Sequence, residues 1–513
     1  MDTLVRELNR QGSQPRPAKA LESVQFGEWK PDAAELLASV SNVQDVIPFG
    51  PNGYKPMPNF AAESTTAMSA RCQGIGAVVD NSDSSYKYAG DATKLYQLLS
   101  NDWTDVSGGT TFTISADEWW SFLKDPESNK VLATNLQDGV YSATFGSTFA
   151  AHFTSTLRPK ARSMAQLRSE FLMVFNVDED GTKFPDRLRW SSIGDTNDMD
   201  ASAANQSNSA DLGGEWGEGM ALYGGDEATA FLERAIYRGV YVGAPTVWDF
   251  GSALEQNRGL LAPKASQRVG RHIYYLANDG FFRWNGFQSE PIGDGKVNVE
   301  FFDDVETTYY HRITCTYDPK HQVVMWQYTD VTASTSTPTR ILLYHWPSGW
   351  WGKAHITLDV LFPDLTNYVS PDDMTSISSS LDALEFSLDS SVWQGGRMRA
   401  GAVNASRQSG TFSGANLAAI IETGIRQFYP GRHAKITGAY PLVDGGTPTV
   451  AVAGARRLND TFTFETAAAQ NTSGKVPLRN KNKFHKLRMN VAAAGSWELA
   501  TGVQPLGAPA DGR

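Results

Sequence analysis

The chain has 513 residues, too many for one ordinary hydrophobic core, which predicts a large domain accompanied by a second one. Hydrophobic residues make up 41% of the chain and charged residues 20%, a balance typical of folded proteins. The formal net charge of −11 argues against a general nucleic-acid-binding surface, although a neutral or acidic channel wall would still let DNA slide past.

The cysteines and the apolar runs of the sequence indicate in which cellular compartment the protein is expected. Cys72 and Cys315 lie far apart in the sequence, so we expect two buried thiols in a reducing cytoplasm, with a single disulfide as the alternative. The first residues contain no apolar segment of signal-peptide length. No run of about 18 apolar residues occurs in the sequence, so no membrane span is expected.

A loose repeat of aromatic-rich β segments predicts the fold class. Each copy has a β-rich run, a polar turn, a second run and a tight turn, and the clearest copies are Tyr86–Val106, Ile273–Gly293 and Val323–Ile356. Trp103, Trp284 and Trp346 lie at or near the last turn. Repeats with a period of roughly 40–50 residues indicate a propeller or solenoid, because one unit cannot bury its own apolar face.

The first 70 residues carry no strong strand pattern. Residues 1–25 are polar and basic, with a weak helical stripe at Leu4 and Leu8, and predict a flexible N-terminal arm or an arm that orders against a partner. Residues 26–70 are rich in proline, which removes ladder donors. We therefore expect an irregular lead-in draped over a surface.

Repeat-like units fill residues 71–360. Turn residues separate their runs at hairpin spacing, and the units cover residues 71–107, 112–157, 164–196, 216–250, 265–294 and 311–357. This pattern predicts a β-propeller of about six blades. The polar stretch 195–215 is interpreted as a loop between blades.

The composition changes again after residue 360. Pro, Asp and Ser are enriched in residues 361–415, which we interpret as a connecting segment. Residues 416–500 show regularly spaced strands separated by Gly, Asp and Asn, which predicts a C-terminal β-sandwich-like domain or an open barrel. Residues 501–513 are predicted to be a disordered tail. The predicted fold is all-β, a β-propeller with an additional C-terminal β domain.

No metal or cofactor site is predicted. Asp178, Glu179, Asp180 and Gly181 could begin a calcium loop, but the later ligands are missing and a hairpin turn is expected here. The histidines show no i, i+4 pair of the helical zinc type. His345, between Tyr344 and Trp346, is interpreted as a packed residue.

A propeller glycosidase would need paired carboxylates facing one pocket. Asp91, Asp138, Glu227 and Asp279 fall at similar places in their units. Equivalent aspartates are expected in the turns of any repeat, because Asp bonds its own backbone there. We therefore predict no catalytic residue.

One basic cluster stands out near the C-terminus. It consists of Lys475, Arg479, Lys481, Lys483, Lys486 and Arg488. A hairpin with a solvated basic tip is one interpretation, and a contact with DNA or with an acidic neighbouring subunit is the other.

Several strings, taken in order, resemble the tail nozzle or tail-hub proteins of short-tailed phages (podoviruses), also known as packaged-DNA stabilisation proteins. The resemblance covers roughly residues 26–500 and is carried by residues 46–58 (VIPFGPNGYKPMP), 71–98, 187–198 (RLRWSSIGDTND), 231–243, 270–286 (GRHIYYLANDGFFRWNG), 381–396, 430–445 and 484–491. The N-terminal arm has no counterpart in the resemblance.

The resemblance implies a structural virion protein without enzymatic activity, assembled in the host cytoplasm. Six copies would form a ring that continues the DNA channel below the portal, retains the genome and lets it pass on ejection. The implied partners are head-to-tail adaptor proteins, tail fibre or tailspike proteins, and double-stranded DNA that is not read by sequence. Two alternatives stay open: a receptor-binding or polysaccharide-degrading propeller of the tail, and a monomeric scaffold that binds host proteins.

Overall fold

The protein is almost entirely β-structure, arranged as a β-propeller and a β-sandwich. The computed structural model describes residues 19–36, 38–202, 204–366 and 396–510. Most of the predicted arm and nearly all of the string at residues 381–396 lie outside these ranges. Within them the helices are short: α1 (Asn298–Asp304) and the 3₁₀ turns Gly50–Asn52, Gly214–Trp216 and Thr307–Arg312.

Six short strands precede the first blade and are shared between the two domains. They are β1 (Lys19–Ala20), β2 (Val24–Gln25), β3 (Val40–Gln44), β4 (Val46–Pro48), β5 (Tyr54–Pro56) and β6 (Ala61–Ala62). The first five join the sandwich, and β6 joins the last blade. Residues 26–70, expected to be an irregular lead-in, thus supply four of these strands.

Seven antiparallel sheets then follow around one axis, each with its first strand innermost. Blade 1 has β7 (Ile75–Val79), β8 (Ser85–Gly90), β9 (Leu95–Leu99) and β10 (Asp102–Asp105). Blade 2 has β11 (Ser121–Lys124), β12 (Lys130–Asn135), β13 (Gly139–Thr144) and β14 (Ala150–Ala151). Blade 3 has β15 (Lys160–Leu167), β16 (Phe171–Glu179), β17 (Thr182–Trp190) and β18 (Asn208–Asp211).

The remaining blades continue this order. Blade 4 has β19 (Gly219–Tyr223), β20 (Ala228–Leu232), β21 (Ala235–Gly243), β22 (Val247–Asp249) and the extra strand β23 (Glu255–Gln256). Blade 5 has β24 (Ser266–Val269), β25 (His272–Ala277), β26 (Gly280–Trp284) and β27 (Ser289–Pro291). Blade 6 has β28 (Thr314–Asp318), β29 (Val323–Tyr328), β30 (Arg340–His345) and β31 (Trp350–Ala354). Blade 7 has β32 (Leu358–Leu365), β33 (Met398–Asn404), β34 (Ser409–Thr411) and the early strand β6.

The aromatic repeat corresponds to the second, third and fourth strands of blades 1, 5 and 6. The first strands do not carry the pattern, because they line the axis and pack differently. Trp103 and Trp284 are buried, at 8% and 1% exposure. These tryptophans therefore stabilise the blades and are not exposed platforms.

A hydrophobic cluster fills the space between each pair of neighbouring blades. Between blades 1 and 2, for example, Trp120 packs with Tyr88 and Val131. Burial of one large apolar side chain contributes about 1.5–3 kcal/mol, so these interfaces supply much of the driving force for folding.

The segment Asp178–Gly181 is the hairpin turn between β16 and β17. Asp180 and Gly181 both have positive φ, at 53° and 88°, as the two-residue turn of a hairpin requires. Asp178 Oδ1 accepts a hydrogen bond of 2.8 Å from the Gly181 amide. The turn interpretation is confirmed.

The propeller is closed by pairing of residues from the two ends of the domain. β6 pairs with β34 in blade 7, with Ala62 opposite Gly410. Beside this pairing lies an ionic group that we call the closure clasp: Glu63, Lys87, Asp364 and Arg399. Arg399 binds Glu63 through two hydrogen bonds of 2.7 and 2.8 Å and Asp364 through one of 2.8 Å. Lys87 of blade 1 lies 3.0 Å from Asp364, which joins the last blade to the first.

The described residues form seven blades, where the sequence repeats indicated about six. The seventh escapes the repeat because β32 and β33 are separated by residues 366–397 and its outermost strand comes from residues 61–62. The predicted inter-blade loop 195–215 is also different, since it contains β18, the outermost strand of blade 3.

Two sheets form the β-sandwich. Besides β1–β5 they contain β35 (Ala419–Thr423), β36 (His433–Gly445), β37 (Thr449–Ala455), β38 (Ala468–Ala469), β39 (Val476–Asn482), β40 (Phe484–Val491) and β41 (Trp497–Ala510). One sheet has the order β39-β36-β41-β5-β4, with β1 and β2 also on β41, and the other has the order β3-β35-β40-β37-β38. The sandwich packs on blade 6, where Asp45 accepts a hydrogen bond of 2.6 Å from the His355 amide.

The prediction of a disordered tail over residues 501–513 is wrong up to Ala510. Strand β41 continues through these residues and pairs with β36 as far as His433 opposite Ala510. Val503 is fully buried, which holds the strand in the sheet. The predicted flexible arm is likewise ordered from Lys19, because β1 and β2 pair with β41.

Candidate functional site in the axial cavity

A cavity of about 330 Å³ lies on the propeller axis. The first strand or the residues just before it contribute to its wall in all seven blades. One lining residue from each blade is Gly76, Ser121, Ser163, Ala221, Ser266, Thr314 and Leu361. Ligand pockets have volumes of about 300–1,000 Å³, so this one is at the small end of the range.

The cavity wall consists of sheet edges. Each first strand is the terminal strand of its sheet and has a ladder partner on one side only. Backbone N–H and C=O groups on the free side need other hydrogen-bond partners. The wall therefore offers donors and acceptors alternately around a small central space.

Lys264 extends across this space. It precedes β24 of blade 5, yet its Nζ donates a hydrogen bond of 2.9 Å to Ser121 Oγ at the start of β11 in blade 2. The two blades are three positions apart in a ring of seven. Since the side chains meet across the axis, the amine and the hydroxyl lie in the cavity.

The cavity encloses Lys264 and changes its titration. Burial disfavours the charged amine and lowers the pKa of Lys264 to about 8, while the nearby charge of Glu118 acts in the opposite direction. An ordinary lysine has a pKa of about 10.4. A substantial fraction of Lys264 is therefore neutral at mildly alkaline pH.

Other hydroxyl groups line the cavity, but they have structural partners. The Tyr223 and Ser266 hydroxyls are 2.9 Å apart. Ser163 Oγ accepts from the Leu222 amide at 3.2 Å, and Thr314 Oγ1 accepts from the Leu361 amide at 2.9 Å. Ser121 differs from these groups because its partner is an amine.

A second contact also joins distant blades. Trp119 Nε1, just before blade 2, donates a hydrogen bond of 2.9 Å to the carbonyl of His311, just before blade 6. Trp119 is 2% exposed, so its indole stabilises the cavity wall and is not an open platform.

Buried ion pairs surround the starts of the first strands. Arg162 lies 2.6 Å from Glu118 and 2.9 Å from Glu218, which links blades 2, 3 and 4. Burial opposes the charge of Arg162, but the two glutamates outweigh it and raise the pKa of Arg162. None of these three residues lines the cavity, so their role is to fix the blades that do.

A similar pair links blades 6 and 7. Arg312 Nη2 lies 3.1 Å from Asp359 Oδ1, and the two residues are 2% and 5% exposed. Burial raises the pKa of Asp359, although the guanidinium groups of Arg312 and Arg71 oppose this shift. Asp359 does not line the cavity either.

The four carboxylates expected at equivalent repeat positions do not converge on the axis. Asp91, Asp138 and Asp279 lie between the second and third strands of their blades. Glu227 lies instead between the first and second strands of blade 4, so its position is not equivalent to theirs. Asp91, for example, is fully buried and accepts hydrogen bonds from the Thr93 and Lys94 amides and the Tyr96 hydroxyl. Glu227 and Asp279 pair with Arg238 and Arg258.

The basic cluster near the C-terminus is divided between two strands of different sheets. Lys475 precedes β39 and Arg479 and Lys481 lie on it, while Lys486 and Arg488 lie on β40. The two strands do not pair with each other. Lys486 lies 2.8 Å from Glu35, and Arg488 lies 2.7 Å from Glu422. A contact of Lys475, Arg479, Lys481, Lys483, Lys486 and Arg488 with DNA or another subunit stays a prediction.

The structure reveals Ser121 and Lys264, which sequence reasoning missed. They are 143 positions apart and share no local motif. The available signal is weak: a polar residue directly at the start of an apolar strand, as in the string WWSFL, and a lysine after a proline in LAPKAS. Only the ring closure brings them together.

No helix in the described ranges is long and apolar enough to cross a membrane. In the same ranges, no group of three or more His, Cys, Asp or Glu side chains is arranged to hold a metal ion. Cys72 and Cys315 are buried, free thiols.

No protein-family model and no curated protein matches the chain. Solved structures do match its fold. An exo-β-1,3-galactanase from Phanerochaete chrysosporium is 11% identical, with 87% of this chain and 99% of that chain covered and a TM-score of 0.27. A glycoside hydrolase is 10% identical, with 90% and 100% covered and a TM-score of 0.23. A family 43 arabinoxylan arabinofuranohydrolase from Bacillus subtilis is 10% identical, with 89% and 96% covered and a TM-score of 0.21.

These matches correct the function that the resemblance implied. The structures named above are glycoside hydrolases, and no tail-nozzle protein stands among them. This finding contradicts the prediction of a structural nozzle subunit and the prediction of no enzymatic activity, and neither is proposed again. The ring, the adaptor and tail-fibre partners and the DNA channel belonged to that function and are not carried further. At these identities and TM-scores, no residue role passes from the matched structures to this chain.

Proposed function

We propose that the chain is a carbohydrate-binding and carbohydrate-processing β-propeller whose ligand site is the axial cavity. The observation that carries the proposal is the wall of this cavity. It combines free strand edges from seven blades with hydroxyl side chains and the ring of Phe122. Of the alternatives considered from the sequence, this proposal keeps the carbohydrate-directed one.

The chemistry of the wall suits a sugar. Sugar hydroxyls both donate and accept hydrogen bonds, as the alternating N–H and C=O groups of a free strand edge do. The apolar face of a sugar ring packs against aromatic side chains, and the partly exposed ring of Phe122 supplies such a surface. A volume of about 330 Å³ suits the end of a chain or a side group rather than the middle of a polymer.

A binding assay with a blocked cavity tests the proposal. The purified protein is titrated with neutral, acidic and O-acetylated oligosaccharides, and we expect at least one class to bind with a Kd between about 1 μM and 1 mM. Ala77 lies on β7 and lines the cavity, so Ala77→Trp should fill it and reduce the affinity at least tenfold.

The matched control is Thr104→Trp, on the exposed outermost strand of the same blade. This variant should bind like the wild type, and thermal unfolding should show that both variants are folded. The proposal is wrong if no oligosaccharide class binds, or if Ala77→Trp binds as tightly as Thr104→Trp does.

A further inference from the structure

We propose that Ser121 and Lys264 form a serine–lysine catalytic dyad, with Ser121 as nucleophile, Lys264 as general base and an acyl ester of a sugar hydroxyl as substrate. The identity of the substrate rests on the proposed function, whereas the dyad rests on geometry alone.

The geometry is that of an activated nucleophile. Lys264 Nζ and Ser121 Oγ are 2.9 Å apart, within the range expected for a nucleophile and its base. Both side chains line a cavity of about 330 Å³, so an acyl group has space beside the hydroxyl. The two residues are held by opposite blades, which fixes their separation through the ring and not through one loop.

The surroundings of Lys264 distinguish it from the structural lysines. Lys87, Lys353 and Lys486 are buried, and each lies within 3.0 Å of a carboxylate oxygen. In the described part of the chain, no carboxylate lies within 4.0 Å of Lys264 Nζ; the nearest influence is Glu118, whose oxygens bind Arg162. A lysine without a paired anion loses its proton more readily.

The neutral form of Lys264 is suited to act as a general base. A base must be neutral to accept a proton, and burial lowers the pKa of Lys264 to about 8. A general base works best when its pKa is near the working pH.

Lys264 returns every proton that it takes up, so the reaction needs no further acid or base. Neutral Lys264 takes the Ser121 proton as Oγ bonds to the acyl carbon, and the free N–H groups of the strand edges donate to the developing oxyanion. The ester C–O bond breaks, and the Lys264 ammonium returns the proton to the sugar oxygen. Water next attacks the acyl–Ser121 ester while Lys264 takes one proton from it. Release of the carboxylic acid restores the Ser121 hydroxyl and neutral Lys264.

Ester cleavage and covalent labelling test the dyad together. The probes are p-nitrophenyl acetate, an O-acetylated xylo-oligosaccharide and a fluorophosphonate. We expect acetate release, a single fluorophosphonate adduct mapped by mass spectrometry to Ser121, and a rate that rises with pH through about 8 as Lys264 loses its proton. Ser121→Ala, Lys264→Met and Lys264→Arg should each lower the rate roughly 100-fold or more, since arginine stays protonated.

Ser289→Ala is the control, because Ser289 lies on the outermost strand of blade 5, away from the cavity, and its hydroxyl lies 2.6 Å from the Tyr275 hydroxyl. It should keep the adduct at Ser121 and the pH profile. Equal rates for Ser121→Ala and Ser289→Ala, an adduct elsewhere, or an unchanged pH profile in Lys264→Arg would overturn the dyad. Oligosaccharide binding without ester cleavage would overturn the dyad and leave the proposed function standing. Cleavage of p-nitrophenyl acetate without any oligosaccharide binding would overturn the proposed function and the sugar substrate.

Discussion

At the scale of single residues, the buried lysines show how partners determine the role of a charge. Lys87 is 5% exposed and lies 3.0 Å from Asp364, so its charge is compensated and stabilises a contact between blades. Lys264 has a hydroxyl as its partner and an enclosed position in the cavity. A buried cation without a paired anion lowers the stability of the fold. Proteins retain such a cation where it serves a function.

This cost predicts how Lys264→Met changes stability. The folded-state pKa of about 8 lies below the unfolded value of about 10.4, so protonated Lys264 destabilises the fold. The penalty is fully present below pH 8 and disappears as the pH rises toward 10.4. Lys264→Met should therefore raise the free energy of unfolding at pH 7 by on the order of 2–3 kcal/mol, and the gain should shrink with rising pH.

Denaturant unfolding between pH 7 and 10.5 measures this trend. Lys183→Met, on an exposed stretch of β17, is the control and should change the free energy of unfolding by less than about 0.5 kcal/mol at every pH. A Lys264→Met variant that is less stable than the wild type at pH 7, or whose effect does not depend on pH, contradicts the assigned environment.

At the scale of elements, the propeller depends on how its last blade is completed. β6 supplies the fourth strand of blade 7, and the closure clasp binds that region to β32, β33 and blade 1. Asp364 and Lys87 are buried, whereas Arg399 and Glu63 are 28% and 31% exposed. Removal of Arg399 would leave Lys87 as the one remaining cation of the clasp beside two carboxylates.

Arg399→Met is therefore expected to destabilise the protein by about 2–3 kcal/mol, less than the loss of a partner from a fully buried pair. Burial acts against ionised Glu63, but Arg399 and Lys87 outweigh it and lower the pKa of Glu63. The stabilisation that this group contributes is present above pH of about 4.3 and is lost as the pH falls through the lowered value. Thermal unfolding should show the difference between wild type and Arg399→Met at pH 7 and a smaller one in acid.

Arg258→Met provides the comparison, since Arg258 and its partner Asp279 are partly exposed. It should cost less than about 1 kcal/mol. If both substitutions have the same small effect, the clasp does not close the ring.

The sequence was informative where its pattern is local. The hairpin at Asp178–Gly181 and the aromatic outer strands follow from turn chemistry and alternation, which neighbouring residues determine. Blade 7 and the N-terminal strands of the sandwich could not be predicted, because their partners lie hundreds of residues away. The site was missed for the same reason: Ser121 and Lys264 meet only after seven blades close around the axis.

At the scale of the whole molecule, both domains are completed by residues from the N-terminal region. β1 and β2 pair with the final strand β41, and β6 completes blade 7. This arrangement holds the ring at a fixed circumference and so keeps opposite blades at the distance that the Ser121–Lys264 hydrogen bond requires. A propeller hosts many functions, and a similarity in the order of sequence strings does not select among them. Opposite blades contribute side chains to one small space on the axis. We therefore expect the functional site to lie there.

A crystal structure of the Ser121→Ala variant with an O-acetylated oligosaccharide tests the central claim most directly. The sugar should occupy the axial cavity beside Phe122, with an acetyl carbonyl carbon within about 3.5 Å of the position that Ser121 Oγ would take and with Lys264 Nζ beside it. An axial cavity without ligand, with the oligosaccharide bound between blade 7 and the sandwich or on an outer strand, would contradict the account.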